Sequence, residues 1–171
     1  MDTSTALSEK RKILTALEIE VARLQDLLSS LDDSKVNKIP FAESWTAGQV
    51  LRHVTKSTDL MAKAMASECK PAERAADEKT AVLKQTLLDF SQKMKSPEFI
   101  VPEAGPFEKQ LLLKDLSRSL LQLNENAMKA DLHDLVKDLP TGEITKLELL
   151  HFVLYHTQRH LHQLRNICEA L

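Results

Sequence analysis

Three histidines fall where the sequence pattern expects apolar residues. His156 and His160 interrupt an apolar stripe that runs from Leu149 to Leu171 on the last predicted helix. Their i to i+4 spacing places both imidazoles on one helical face, which is how a helix offers two ligands to one metal ion. His53 lies on the flank of an apolar stripe on an earlier helix. If the two helices face each other, three neutral imidazoles converge inside the protein, where helical bundles build metal sites.

Other interpretations of the histidines stay open at the level of the sequence. A pair of histidines four residues apart is a weak motif by itself, and a lone buried histidine such as His53 is commonly a hydrogen-bonded core residue. His151 and His162 are offset from the face of the pair, and His133 lies in a connection between helices. We expect these three to make polar contacts outside the site.

Six polar or aromatic residues are candidates to orient the three histidines or to line a pocket beside them. Gln163 and Ser57 share the helical faces of the histidines and are candidates to hold the imidazoles in place. Trp45, about two turns before His53, can lie at the mouth of a pocket. Lys56 and Arg159 lie on the same helices and can approach an anionic substrate. Their simpler interpretation is that they belong to solvent-exposed helix faces. The set is Gln163, Ser57, Gln49, Trp45, Arg159 and Lys56.

The other residues that can carry chemistry give weaker signals. Cys69 and Cys168 form no spaced motif, so we expect free thiols that pack as small hydrophobes near helix ends. The sequence contains no GxGxxG, GxxxxGK[ST] or GxSxG pattern. A phosphate-binding loop and the nucleophile elbow of a hydrolase are therefore unsupported.

The composition favours one helical domain over residues 1–171. Hydrophobic residues make up 43% of the 171 residues, aromatic residues only 4%, and glycines number three, which disfavours an all-β fold. The net charge of -2 provides no basic surface for nucleic acid, and no apolar run is long enough to span a bilayer. The N-terminus lacks the apolar core of a secretory signal. We expect a cytoplasmic protein that binds neither nucleic acid nor membranes.

Apolar periodicity predicts five helices. Apolar residues recur at steps of three and four, which is typical of one buried helical face. Loops are expected at residues 96–106, where prolines concentrate, and at residues 131–142, with a short helical turn allowed in the second. The predicted helices span residues 8–31, 46–68, 71–95, 107–130 and 145–171. The simplest packing is an all-α, up-down four-helix bundle with one additional helix.

Two of the predicted helices begin with a capping box. Thr46 with Gln49, and Thr145 with Glu148, have the spacing in which the residue that caps a helix and the residue three positions later satisfy each other's backbone amides. These signals predict where the two histidine-bearing helices begin.

Two segments resemble the signatures of a known superfamily. Residues 45–53, WTAGQVLRH, resemble the Trp-Ser/Thr-x-Gly-Glu/Gln start that leads to a ligand histidine in the DinB-like (YfiT-like) metalloenzyme superfamily. Residues 156–163, HTQRHLHQ, resemble the closing HxxxHxxQ pattern of that superfamily. The order of helices matches over the whole chain, whereas residues 71–141 match in helical character alone.

The resemblance implies a four-helix bundle of the DinB/YfiT type in which His53, His156 and His160 bind a divalent ion, typically zinc or nickel. Relatives in the superfamily include bacillithiol S-transferases and mycothiol-dependent maleylpyruvate isomerase, which use a low-molecular-weight thiol. Three neutral ligands leave the ion its full charge, which lowers the pKa of a bound water or thiol. The implied function is a metal-dependent enzyme for thiol transfer to, or hydrolysis of, a small electrophilic substrate.

Two further functions stay open. A helical binding or stress-response module, with a structural metal or none, fits the same helices. The long apolar stripe of the first helix also predicts a surface for homodimer formation. The number of protein ligands helps to separate the enzyme from the binding module, because catalytic zinc sites keep a position open and structural sites fill it.

Overall fold

The computed structural model describes residues 3–137, 139 and 142–171, and over these residues it contains six α-helices, one 3-10 helix (Glu98–Ile100) and a small sheet. The α-helices are α1 (Thr3–Ser30), α2 (Asp33–Val36), α3 (Ala47–Ala66), α4 (Thr80–Leu88), α5 (Lys109–Lys129) and α6 (Lys146–Glu169). The antiparallel strands, in the spatial order β1-β2-β3, are β1 (Lys70–Pro71), β2 (Asp134–Val136) and β3 (Ile144–Thr145).

The four long helices form a bundle, which confirms the predicted all-α fold with one additional helix. α3 packs against α5 and α6, and α1 packs against the other sides of α6 and α5. Each long helix contributes fully buried leucines to one continuous core, such as Leu24, Leu51, Leu116 and Leu150. The additional helix, α4, packs on α6. None of the helices in the described ranges is both long and apolar enough to cross a membrane.

Contacts between helix ends show the directions of the bundle helices. Lys10, near the start of α1, donates from Nζ to the carbonyl oxygen of Ala130 just after α5, so α1 and α5 are antiparallel. Lys146, at the start of α6, donates to the carbonyl oxygen of Ser67 just after α3, so α3 and α6 are antiparallel as well. The histidine-bearing helices therefore run in opposite directions past each other.

α3 and α5 are parallel. Ser119 donates to Asp59, and further along both helices Asn126 donates to the carbonyl oxygen of Ala62. The four long helices consequently run up, down, down and up in chain order. α5 does not reverse the direction of α3 as a strictly up-down bundle would. The long connection through α4 returns the chain to the end of the bundle at which α3 begins, and α5 starts from there.

The predicted third helix over residues 71–95 is wrong in its extent, since only α4 is helical. Before α4, strand β1 pairs with β2, with Lys70 opposite Leu135. The turns that follow β1 are held by Arg74, whose guanidinium donates to both carboxylate oxygens of Glu148 on α6 at 2.6 Å. These partners lie far away in the sequence, so local apolar spacing contains no sign of them.

The same helix also ends earlier than predicted. Arg159 on α6 donates to the carbonyl oxygens of Leu87 and Asp89 at 3.1 and 2.9 Å. These bonds satisfy carbonyl groups at the helix end that have no partner within the helix. Phe90 and Met94, which the predicted helix would include, are exposed beyond the end of α4.

The predicted connection over residues 131–142 contains strand β2 instead of a helical turn. This strand pairs with β3 directly before α6 begins, with Leu135 opposite Thr145. Residues 138, 140 and 141 of the connection lie outside the described residues. The loop at residues 96–106 is present as predicted, and it includes the 3-10 helix.

Candidate metal centre

Both predicted capping boxes are present at the starts of the histidine-bearing helices. The amide of Gln49 donates to Oγ1 of Thr46 at 3.1 Å, and the amide of Thr46 donates to Oε1 of Gln49 at 3.0 Å. Thr145 and Glu148 make the same reciprocal pair at the start of α6. Each box satisfies two amides that have no partner within the helix.

A glycine lets the loop before α5 lie directly against the start of α3. A Cβ atom at Gly48 would come within 3.0 Å of Cδ2 of Phe107, so a larger residue would displace that ring. The backbone of Phe107 is held by Asn37, which donates to its carbonyl oxygen at 2.9 Å and accepts from its amide at 2.7 Å. Close packing against Phe107 therefore explains the glycine at position 48 in the motif of residues 45–53.

The antiparallel helices α3 and α6 bring His53, His156 and His160 together, and we call these residues the histidine centre. Nε2 of His156 lies 3.2 Å from Nε2 of His53 and 3.1 Å from Nε2 of His160. The exposed fractions of the three residues are 1%, 9% and 7%. Three ring nitrogens thus converge on one buried point between two helices.

Acceptors on the far side of two rings determine which nitrogen faces the centre. Nδ1 of His53 lies 2.9 Å from the carbonyl oxygen of Ile100, and Nδ1 of His160 lies 2.8 Å from Oε1 of Gln163. Because these oxygens only accept, each Nδ1 carries the hydrogen and donates it, which leaves a lone pair on Nε2. Gln163 contacts His160 in the way expected of a residue that orients a ligand.

The spacing of the nitrogens fits a metal ion. Zinc binds imidazole nitrogen at about 2.0–2.1 Å, so two ligands of a tetrahedral site lie about 3.3 Å apart. The observed separations of 3.1 and 3.2 Å are close to that value. Two lone pairs that face each other at this distance repel unless a cation or a shared hydrogen lies between them. No further His, Cys, Asp or Glu joins the cluster in the part of the chain that the structure describes.

Burial lowers the pKa of all three histidines. In His53 this effect outweighs the hydrogen bond to Ile100, which raises the pKa. The pKa of His156 lies well below its usual value because of burial and of the neighbouring imidazoles. Burial, with a contribution from His53, lowers the pKa of His160 to about 3. The centre is therefore neutral at neutral pH, which is the protonation state that binds a metal ion.

Two aromatic rings border the histidine centre. The ring centroid of Trp45 lies 5.0 Å from that of His53 and 6.5 Å from that of His160. Phe152 stacks on His156 with a centroid distance of 5.4 Å and an interplanar angle of 19°. Trp45 is half-buried, so it extends from the centre toward the surface. Phe152 lies on the predicted apolar stripe of the last helix, and its i to i+4 spacing from His156 is the signal in the sequence for this contact.

The remaining candidate residues are not in the cluster. Ser57 is buried one turn after the histidine of α3, but its hydroxyl bonds none of the three imidazoles in the described structure. Gln49 acts in the capping box and in a contact to the loop after the 3-10 helix. Arg159 binds carbonyl oxygens at the end of α4, and Lys56 donates to the carbonyl oxygen of Val101 at 2.8 Å.

The other three histidines lie away from the centre. His151 contacts the hydroxyl of Tyr155 at 3.2 Å, and His162 stacks on Phe90 with a centroid distance of 4.2 Å. Nε2 of His133 lies 3.0 Å from a backbone carbonyl oxygen. Both cysteines are free thiols, as predicted.

Comparison with known proteins places this three-histidine bundle in a family. The family model described as the DinB superfamily matches residues 16–164. The chain therefore belongs to the DinB superfamily, as the resemblance of its two motifs indicated. The uncharacterized protein YuaE from Bacillus subtilis (strain 168) is 27% identical over 151 residues, which cover 84% of this chain and 90% of YuaE.

A solved structure has the same fold. YfiT from Bacillus subtilis, described as "a probable metal-dependent hydrolase with an unusual four-helix bundle topology", matches with a TM-score of 0.64. The match covers 94% of this chain and 86% of the YfiT chain, at 18% sequence identity. At this identity the likeness shows a shared fold.

Proposed function

We propose that this protein is a metal-dependent enzyme that binds one divalent ion through His53, His156 and His160 and acts on a small electrophilic substrate. The observation that carries the proposal is the convergence of three neutral imidazoles whose Nε2 atoms are separated by 3.1 and 3.2 Å. Three protein ligands leave a coordination position open, which is the pattern of catalytic zinc sites. The description of YfiT as a probable metal-dependent hydrolase agrees with this class of function.

The residues around the centre have two functions in this proposal: they hold the imidazoles and they limit access of water. The carbonyl oxygen of Ile100 and Oε1 of Gln163 keep two lone pairs aimed at the ion. Trp45 and Phe152 cover imidazole faces with apolar surface. A divalent ion held by neutral ligands lowers the pKa of a coordinated water or thiol and so supplies a nucleophile near neutral pH.

Within this class we propose zinc or nickel as the ion, since imidazole ligands suit both metals. The nucleophile is water or a low-molecular-weight thiol, and the superfamily resemblance supports the thiol. Arg159 and Lys56 are both engaged by backbone carbonyl oxygens, so an uncharged electrophile fits the centre better than an anionic substrate. A cytoplasmic location and a homodimer stay predictions from the sequence.

Metal content tests the proposal. We expect near-stoichiometric zinc or nickel in untagged protein by inductively coupled plasma mass spectrometry, and its loss in His53→Ala, His156→Ala and His160→Ala. His151→Ala is the matched control, because His151 lies on α6 but contacts Tyr155 instead of the centre, and it should keep the metal. A native protein that is metal-free and takes up neither ion on titration would contradict the proposal.

Activity assays then separate the two nucleophiles. The metal-loaded protein should convert small electrophiles in the presence of a low-molecular-weight thiol, or hydrolyse activated esters and amides without one. Each activity should disappear with the metal in the His156→Ala variant. Stoichiometric metal without turnover in either assay would favour the alternative in which the metal is structural.

A further inference from the structure

Residues 98–103, which we call the strap, lie along α3 beside the histidine centre. Side chains at positions i, i+3, i+4 and i+7 of α3 share one face of the helix, and all four bind the strap. They are Gln49, Arg52, His53 and Lys56. A histidine of the candidate metal centre is thus one of four attachment points of the strap.

Contacts on both sides of that histidine hold the strap in place. Nε of Arg52 donates to a carboxylate oxygen of Glu103 at 2.7 Å. Nζ of Lys56 donates to the carbonyl oxygen of Val101 at 2.8 Å and lies 3.6 Å from the other carboxylate oxygen of Glu103. The residue before Val101 is Ile100, whose carbonyl oxygen accepts from the imidazole.

We infer that Lys56, by fastening the strap, is a positioning residue for His53. The path is short, because Lys56 holds the carbonyl of Val101 and the adjacent carbonyl of Ile100 accepts from Nδ1 of His53. Displacement of the strap removes the acceptor that keeps the ring in its orientation and tautomer. The inference rests on the proposed metal binding and adds to it a residue that is not itself a ligand.

The coupling acts in both directions. An ion that binds the oriented imidazole favours the attached strap, and the attached strap favours the ion by the same free energy. Metal binding should therefore be visible in the backbone of the strap, at amides of residues 98–103 that are not ligands. This readout is independent of any catalytic activity.

Electrostatics alone predicts the opposite effect of Lys56. An ammonium group near a cation site repels the cation, so its removal should strengthen metal binding if charge is all that matters. A positioning role predicts that removal weakens metal binding. The sign of the change in affinity therefore separates the two explanations.

Zinc affinity of the full chain, measured by competition with a chromophoric chelator, tests the inference. Lys56→Met should raise the zinc Kd about tenfold, as expected for a residue that helps to orient a metal ligand. Lys56→Arg keeps a donor and should recover most of the affinity. Lys109→Met is the matched control, since Lys109 also donates to a carbonyl oxygen, that of Leu31, and pairs with Asp33. It should leave the zinc Kd unchanged.

Hydrogen exchange monitored by mass spectrometry is the second readout. Zinc should slow amide exchange in residues 98–103 of the wild type and do so less in Lys56→Met. Equal or tighter zinc binding by folded Lys56→Met overturns the inference and leaves the proposed function standing. A wild type that binds no zinc or nickel overturns the proposed function and the inference with it.

A second variant keeps the test decisive if Lys56→Met does not fold. Glu103→Ala removes the carboxylate that Arg52 and Lys56 share, and the Glu103 side chain is 51% exposed, so folding should tolerate the change. We expect weaker zinc binding together with faster amide exchange in the strap. Faster amide exchange in the strap together with a zinc Kd equal to that of the wild type overturns the inference.

Discussion

Two buried polar clusters lie on α6 about two turns apart, and their hydrogen-bonding groups are satisfied in opposite ways. The fully buried carboxylate of Glu148 accepts four hydrogen bonds, two from Arg74 and one each from the amides of Lys79 and Thr145. In the histidine centre, by contrast, three ring nitrogens face one another. Two of the rings, those of His53 and His160, donate to acceptors on their far sides, so each presents a lone pair to the centre.

The difference separates a structural network from the proposed metal site. Burial by itself raises the pKa of Glu148, but the hydrogen bonds from Arg74 and the backbone amides outweigh it, so the pKa lies below its usual value. A buried charge that is fully paired holds neighbouring segments together. Under the proposed function, the convergent neutral imidazoles are instead completed by a cation from outside the chain. The predictions below test this contrast.

Removal of the Glu148 carboxylate should have the largest effect on folding. Glu148→Ala leaves Arg74 without its main partner and removes half of a capping box, which should lower the free energy of unfolding by about 3 kcal/mol. Urea unfolding at neutral pH measures this change. Glu78→Ala is the control, because Glu78 pairs with the same arginine at 3.9 Å and has a 55% exposed side chain. Equal losses in both variants would contradict the closed network.

Removal of the Gln163 acceptor should affect metal binding more than folding. Gln163→Leu leaves Nδ1 of His160 without its partner, so the zinc Kd should rise about 10–100-fold. Gln163→Glu keeps an acceptor and should retain most of the affinity. Chelator competition measures the Kd, and equal affinities of the wild type and the leucine variant would show that Gln163 does not orient the ring.

The two clusters should lose their contributions to stability in different pH ranges. In the histidine centre the folded pKa values are lowered, to about 3 for His160, from an unfolded value of about 6.5. The unfolded chain therefore binds more protons, and the metal-free protein loses stability as pH falls below about 6.5, by up to about 1.4 kcal/mol per pH unit for each imidazole. The pKa of Glu148 is also lowered in the folded protein. Its contribution to the free energy of unfolding is therefore present above about pH 4.3 and is lost as pH falls through the folded pKa.

Urea unfolding of the metal-free protein between about pH 7 and pH 5 measures the first of these effects. The double variant His156→Ala/His160→Ala should flatten the dependence, because most of the imidazoles that resist protonation are gone. A wild-type stability that does not change over this range would contradict neutral buried imidazoles.

Removal of the cap on α3 should have the smallest effect. Thr46→Ala deletes one acceptor of a capping box and should lower the free energy of unfolding by about 1 kcal/mol. Thr145→Ala should cost more, because the Thr145 hydroxyl also donates to the carbonyl oxygen of Ala76. Thermal unfolding compares the two variants, and a larger loss for Thr46→Ala would contradict this order.

Local spacing in the sequence was sufficient to predict the four long helices. It also predicted the faces of α3 and α6 on which the three histidines of the centre lie. Apolar periodicity and the two capping boxes involve residues no more than about four positions apart, which is the range over which a helix imposes its own pattern. The i to i+4 pair His156 and His160, and the placing of Gln163 one turn further, are of this kind. The family could be predicted from the same two segments.

Only the tertiary structure decided which partners complete these local signals. The acceptor for His53 is a backbone carbonyl 47 residues away, and the arginine that pairs with Glu148 is 74 residues away. The early end of α4, the parallel packing of α3 and α5, and the strap follow from contacts of this range. A side chain's local neighbours do not specify such partners, because backbone carbonyls carry no residue-type signal and long-range pairs arise only when the helices pack.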